Sequence, residues 1–401
     1  MEMELLTNEE ARLAQGYQAA GVWCGIKRAK KDLAILYSQT QAAAAGVFTK
    51  NVVQGAPVRV CREHLSGGTA RALVINSGNA NTCTGAQGLA DATEMAAICA
   101  KALNVPVTEV YPVSTGVIGV PLPMDKIRAG IAEALKKLST GGLLDAAWAI
   151  LTTDSRIKLA SVSFGPQGRY TLTGIAKGSG MIHPNMATML AFLLTDAPVS
   201  RGVLQPLLNQ VVDDTFNLIS VDGDTSTNDS VLLLANGYAG GEEIDVNSPC
   251  YSQLVQALQV VCTYLAKEIA RDGEGASKLI TVRVTGAEDV TQARAVARAV
   301  SASNLVKTAV FGSDANWGRI LCAAGYSGAA FDLEKIRVEI MGLTVFAQGQ
   351  PVPFDEVLAA ERLKCPEVTI TLDLGLGEAS ATAFSCDFTY DYVKINASYR
   401  T

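Results

Sequence analysis

Apolar residues along this chain keep switching between two periods, and that alternation limits its fold more than any other feature. Leu254, Leu258, Val261, Cys262, Leu265 and Ile269 recur at helical spacing and define one buried face, with Gly273 expected as the left-handed stop after it. Met95, Ile98, Cys99, Ala102 and Leu103 make a second such face, and Ile127, Ile131, Leu135 and Leu138 a third. Between these helices the run ALVIN, Ala72 to Asn76, has the length and continuity of a strand buried on both sides, and Ile280, Val282 and Val284 alternate with period two. Toward the C-terminus Val368, Ile370 and Leu372 alternate, GLGE intervenes, and Phe384, Cys386, Phe388 and Tyr390 alternate again, which predicts a hairpin of two long strands. Helices and strands interleaved from end to end predict an α/β or α+β protein rather than a bundle or an all-strand sandwich. With neither an internal repeat nor a low-complexity linker in the 401 residues, composition draws no domain boundary.

Several functions are excluded by what the chain lacks. A net charge of -6, with no basic stripe beyond the short KRAKK at Lys27 to Lys31, leaves no electrostatic footprint for nucleic acid. The N-terminus is acidic where a secretory signal would be basic, and no apolar run approaches the ~18 residues of a membrane span. Nine cysteines without a C-x-x-C fit reduced thiols, so a soluble, cytoplasmic protein is expected. Walker-type, H-E-x-x-H, G-x-S-x-G and G-x-G-x-x-G motifs are absent, and only His64 and His183 are available for histidine chemistry. Ser155 and Lys158 spell S-x-x-K but lack the companion K-T-G and read as coincidence; Asp222, Asp224 and Asp229 lack the glutamate of a calcium loop, so no metal is expected.

What remains is a set of polar loops built from small residues: INSGNANTCTGAQG (75–88), VSTGVIG (113–119), TTDS (152–155), SVDGDTSTND (220–229) and SDANWGRI (313–320). Any one of them is explained by turn formation, but five, each beside an apolar segment, predict a shared pocket. The segment KGSGMIHPNMATMLAFLLTDA, from Lys177 to Ala197, sets a glycine-rich run against an apolar one with Thr188 at the junction. A threonine there fits the head of a buried strand. It also fits a nucleophile activated by its own α-amino group, which would exist only once the Ala187 to Thr188 bond is broken. The hydroxyl itself could break that bond by an N-to-O acyl shift, and Gly178, Gly180 and Pro184 suit the tight turn this needs. His183 reads as shaping that turn.

KGSGMIHPNMATML resembles the self-cleavage motif of the glutamate N-acetyltransferase (ornithine acetyltransferase) family, the ArgJ family of arginine biosynthesis. INSGNANTCTG, STGVIG, TTD, SVDGDTSTND, GEGASK (273–278), SDANWGRI and the C-terminal YVKINASYRT resemble its other signatures in the expected order, over essentially the whole chain. The resemblance implies a four-layer αββα sandwich, of the type shared with a self-processing aminopeptidase. It implies a cut into an alpha chain, 1–187, and a beta chain, 188–401, held in an α2β2 assembly. It implies that Thr188 carries acetyl from N2-acetylornithine to glutamate in a ping-pong cycle. Thr115 and Gly116 match the oxyanion-hole pair; Thr153, Lys177, Thr188, Glu274, Asn396 and Thr401 match substrate-contacting positions. No cofactor is implied, with acetyl-CoA left open as a second acetyl donor. A related aminopeptidase or amidase, and a non-catalytic amino-acid-binding protein, are the alternatives. The apolar pattern through Val393 and Ile395 predicts a tail lying near a strand.

Overall fold

The protein is described by a computed structural model over residues 3–183 and 189–398. Ala187, Thr188 and Thr401 therefore lie outside the described residues. The chain opens with β1 (Leu5–Thr7), β2 (Tyr17–Val22) and the long β3 (Leu33–Phe48), followed by α1 (Ala56–Leu65), β4 (Thr69–Asn79), α2 (Gly85–Leu103) and β5 (Val110–Val117). Next come α3 (Met124–Lys136), α4 (Leu143–Ile150), β6 (Lys158–Phe164), β7 (Tyr170–Lys177) and β8 (Leu190–Thr195). Helix α5 (Arg201–Asp214), β9 (Ile219–Ser220), β10 (Ser230–Ala235) and α6 (Tyr251–Arg271) follow.

Nine of these strands form one sheet in the order β1-β6-β7-β8-β10-β3-β4-β5, with β2 added on β3. The sheet doubles over at β3. Its first half, Leu33–Ser38, pairs β2 and its second half, Ala43–Phe48, pairs β10, and the register with β4 shifts between Tyr37 and Ala42. The stretch Ala42–Gly46 carries only small side chains, which leaves room for the bend. Leu36, Leu73 and Ile75 from one half and Leu190, Phe192 and Leu194 from the other then share a single core. The alternate residues point outward: Leu33, Ile35, Ala72 and Val74 pack under α2 and α3, while Ala191, Leu193, Val231 and Leu233 pack under α5 and α6. The result is the four-layer αββα arrangement, and its two central sheets are the halves of one sheet. Strands with cores on both faces must be apolar throughout, which is why ALVIN and LAFLLT show no polar alternation. Gly174 has a matching role, since a Cβ there would stand 2.6 Å from Val261 of α6.

The remainder adds β11 (Leu279–Ala287), α7 (Val290–Ala302), α8 (Asn304–Phe311), α9 (Trp317–Gly325), β12 (Arg337–Ile340), β13 (Leu343–Ala347) and β14 (Gln350–Pro351). It ends with α10 (Glu356–Arg362), β15 (Glu367–Asp373), β16 (Ala379–Cys386) and α11 (Tyr390–Ser398). A second, seven-stranded sheet runs β14-β13-β12-β15-β11-β16-β9, so β9 ties it back to the first region.

Three local expectations are corrected. The two C-terminal strands do not form a hairpin: β11 lies between them, parallel to β15 and antiparallel to β16. The GLGE segment crosses the end of β11, with Leu376 N–H donating to Gly286 O. The tail is helical, because Thr389 Oγ1 accepts from the Asp391 and Tyr392 amides and starts α11. After α6 the left-handed residue is Gly275, at φ +69°, and not Gly273.

Candidate active site

Strand ends from the doubled sheet converge on one cavity of about 210 Å³. Thr115, Gly116, Thr153, Lys177, Glu274 and Asn396, the six expected site residues that are described, all line it. Met189 and Leu190 line it too, so the chain that follows Thr188 in sequence forms part of its wall.

Thr115 and Gly116 lie in the last three residues of β5, in parallel register with Ser77 and Gly78 of β4. Gly116 adopts φ +132°, and a Cβ there would lie 2.4 Å from the carbonyl carbon of Gly78, so only glycine fits. The loops around this pair are clamped by one side chain. Asn228 donates to Ala80 O at 2.6 Å and Ser114 O at 2.9 Å, and its oxygen accepts from Thr82 and Thr227, both at 2.6 Å. Its two donors and its acceptor oxygen are all used, which accounts for the density of Asn and Thr in these loops. SDANWGRI has a different role: Asn316 caps α9 by accepting from the Arg319 amide at 3.2 Å. Four of the five small-residue loops therefore contribute to the cavity, and the expectation of a pocket shared by all five fails for that one.

Lys177, the last residue of β7, is only 7% exposed. Its ammonium donates to Thr152 Oγ1 at 2.9 Å and stands 3.8 Å from Asp154 Oδ2. Asp154 is the hub behind it, accepting from Lys158 Nζ at 2.8 Å, the Gly178 amide at 2.7 Å and the Thr152 amide at 3.0 Å. Burial pushes this carboxyl up, but Lys158 and Lys177 together with these hydrogen bonds outweigh it and hold it well below the usual carboxylate range. Lys158 reaches Asp272 Oδ2 at 2.6 Å as well, and the Ser155 hydroxyl also bonds Asp272, so the S-x-x-K residues belong to a buried ion network.

On the opposite side Asn396 Nδ2 donates to Glu274 Oε2 at 2.8 Å. Gly180 makes room for that carboxylate, since a Cβ would stand 2.3 Å from its carbon. Asp222 accepts the Met181 and Ile182 amides at 2.6 and 2.8 Å, fixing the approach to residue 183. Tyr392 bonds Asp222, and burial first, then the nearby Asp222, Asp224 and Glu274, push its phenol up. His183 borders a separate cavity of about 680 Å³, with Nδ1 3.1 Å from Ser220 Oγ and Nε2 3.4 Å from Arg298. Burial, then Arg298 and Lys307, lower it to about 4, so it is neutral near pH 7. His64 sits on α1 with Nδ1 2.8 Å from Val110 O.

Sequence reasoning missed Asn228, Asp154, Lys158 and Asp272 as parts of this construction. Asp154 was within reach, inside TTDS; the pairing of Lys158 with Asp272 carried no local signal. Among the described residues, no group of His, Cys, Asp or Glu is placed to hold a metal ion, and no helix is long and apolar enough to cross a membrane.

The model of the ArgJ family matches residues 18–401. The chain belongs to the ArgJ family. It is 54% identical over 390 residues to the arginine biosynthesis bifunctional protein ArgJ of Symbiobacterium thermophilum, covering 96% of this chain and 97% of that one. The same protein from Caldanaerobacter subterraneus subsp. tengcongensis is 50% identical over 404 residues, covering 100% of both. A crystal structure of arginine biosynthesis bifunctional protein argJ from Bacillus halodurans matches with a TM-score of 0.52 at 48% identity, covering 53% of this chain and 100% of that one. As an ArgJ protein, the chain is an acetyltransferase of arginine biosynthesis.

Proposed function

We propose that the chain cuts itself between Ala187 and Thr188, and that Thr188 then moves acetyl from N2-acetylornithine to glutamate. The observation that carries this reading is the meeting, in one cavity, of the Thr115–Gly116 turn, the Lys177 ammonium, the Glu274–Asn396 pair and the wall begun by Met189. In the proposed cycle the freed α-amino group of Thr188 takes the hydroxyl proton as Oγ attacks the acetyl carbonyl. Thr115 and Gly116 receive the oxyanion; the C–N bond breaks, ornithine leaves with the proton, and glutamate's amine attacks the resulting ester. Glu274 suits a substrate ammonium, Lys177 a carboxylate and Thr153 the acyl amide. Asn396 and Thr401 are assigned to the substrate's far end.

The cycle needs no cofactor, and acetyl-CoA would serve as a second donor to the same hydroxyl. The chains 1–187 and 188–401 would stay together as α2β2, in the cytoplasm, where nine free thiols are compatible with reducing conditions.

The test is Thr188→Ala. Native protein should run as two fragments, the second beginning at Thr188, and should gain one acetyl on that residue when mixed with acetylornithine alone. The variant should stay one chain and take up none. Release of free acetate without any need for glutamate would make the enzyme a hydrolase; acetylglutamate from acetyl-CoA and glutamate alone would establish the second donor.

A further inference from the structure

Strand ends supply the first cavity, whereas the second, of about 680 Å³, is built along a helix. Thr291, Arg294, Ala295, Arg298, Ala299 and Ala302 of α7 line it, one face of that helix followed over three turns. The three alanines keep its floor low. Its volume lies within the roughly 300–1,000 Å³ of pockets that take small organic ligands.

The charge of this cavity is one-sided. Arg294, Arg298 and Lys50 line it against a single carboxylate among the described residues, Asp213, which accepts from Asn217 Nδ2 at 2.7 Å. Like charges four residues apart on a helix are neighbours and repel, so the two arginines need an anion between or beside them. Arg294 has part of one: its Nη2 is 2.5 Å from Asp214 Oδ1, but its Nε is buried with no hydrogen-bond partner among the described residues. Arg298 has none. Among the described residues no carboxylate stands within 4.0 Å of its guanidinium, whose polar contact is the neutral His183 ring, with Nε2 at 3.4 Å. Burial loosens its hold on the proton, and no neighbouring charge acts against that. A guanidinium drawn partly out of water with its donors unused is costly, and its fork of N–H groups matches the oxygens of a phosphate.

Two observations select a nucleotide over a simple carboxylate. Three cations suit a ligand with more than one anionic group, and Tyr326, 62% exposed, lines the same cavity and offers a ring face on which a base stacks. We propose that this cavity is a nucleotide site, with phosphates on Arg294, Arg298 and Lys50 and the base against Tyr326. The ligand is a free nucleoside diphosphate or the nucleotide end of CoA, and only the second source rests on the acetyl-CoA reading above. The layout is compatible with CoA, because Met181 and Ile182 line the first cavity and His183 the second, so one short segment borders both.

The experiment is calorimetric titration of the enzyme as isolated with CoA, ADP, adenosine and inorganic phosphate, for wild type, Arg298→Gln and Arg298→Lys. Wild type should bind ADP, and bind adenosine at least about 100-fold more weakly, since adenosine lacks the groups that meet the arginines. Arg298→Gln should weaken ADP at least about tenfold and Arg298→Lys should recover part of the loss, while transfer from acetylornithine to glutamate and the melting temperature without ligand hold. Adenosine or inorganic phosphate binding as tightly as ADP overturns the proposal, and so does the absence of ADP binding; these arms stand even if the variants misfold. Unchanged ADP binding by Arg298→Gln overturns it too, as does loss of acetylornithine-dependent transfer in that variant, which would place Arg298 in the first cavity's machinery. The source is decided separately. CoA displacing ADP, with a Michaelis constant for acetyl-CoA at least about tenfold higher in Arg298→Gln, assigns the site to CoA. ADP binding through Arg298 in an enzyme that makes no acetylglutamate from acetyl-CoA sinks the second-donor reading and leaves the site to a free nucleotide.

Discussion

The doubled nine-stranded sheet and the seven-stranded region both bury strands under helices, yet they bring different kinds of part to the cavity. From the first come strand ends: Thr115 and Gly116 stand just before the last residue of β5, Lys177 closes β7 and Met189 precedes β8. These strands pack cores on both faces, so displacing an end disturbs two cores at once. From the second comes Asn396 on α11, a helix with no buried residue among those described, seated by Thr389 and by a Phe388–Tyr392 ring contact with centroids 4.5 Å apart. On the proposed reading, the groups that would meet developing charge are on rigid supports, and Asn396, which would grip the far end of a substrate, is on an element with little burial to hold it.

The strongest way to break this contrast is Asp154→Asn. The ion network behind Lys177 is fully buried, whereas the α11 pair Lys394–Asp391 has side chains 75% and 64% exposed. Removing one buried charge should destabilise the fold by about 3 kcal/mol, the low end for such pairs because Lys158 keeps Asp272. Asp391→Asn should scarcely move the melting temperature. The sign with pH follows from the direction of the shift. A carboxyl held below its unfolded value contributes stability that is complete above the ordinary carboxylate range, about pH 4, and is lost as pH falls through the folded value. Wild-type stability should drop on acidification in that window more steeply than that of Asp154→Asn, as measured by chemical denaturation at each pH.

Gly116→Ala comes next in size. Its Cβ would meet the Gly78 backbone, which cannot swing aside as a side-chain tip can, so the turn must open. If the turn serves the oxyanion, kcat for acetyl transfer should fall about 100-fold to 1000-fold. Gly119→Ala in the same motif supplies the control: it too has a positive φ, +79°, but open space around the added carbon, and its cost should be limited to about 1–2 kcal/mol of backbone strain. Equal effects from the two would mean that the close approach of β4 and β5 is unimportant.

How much of this was legible beforehand divides along the same line. Periodicity located α6 and β4, because a residue's spacing reports which face it turns to a core. It did not report the partner. Nothing in QTQAAAAGVF says that β3 bends to serve two layers, and nothing local says that β11 slips between β15 and β16. The cavity lining was legible where small and polar residues stand in an unusual row, as in STGVIG or KGSGMIH. It was illegible where a long-range contact does the positioning: Asn228 reaches loops 114 and 148 residues away. The tail was misread because Phe384 to Tyr390 continues a strand period that Thr389 interrupts with a helix start.

The finest test bears on the adjustable side. Asn396→Ala removes the 2.8 Å bond to Glu274 and leaves that carboxylate, 8% exposed, with one donor fewer. A hydrogen bond to a charged group contributes about 1.5–3 kcal/mol, but α11 is exposed enough for water to replace the lost donor, so the low end applies. If Asn396 also holds the substrate, the Michaelis constant for the amino-acid substrate should rise about tenfold while kcat holds, and the melting temperature should fall by no more than a few degrees. A fall in kcat with an unchanged Michaelis constant would mean that α11 positions the reacting end of the substrate, and the division of labour between the two regions would have to be redrawn with Asn396 beside Lys177.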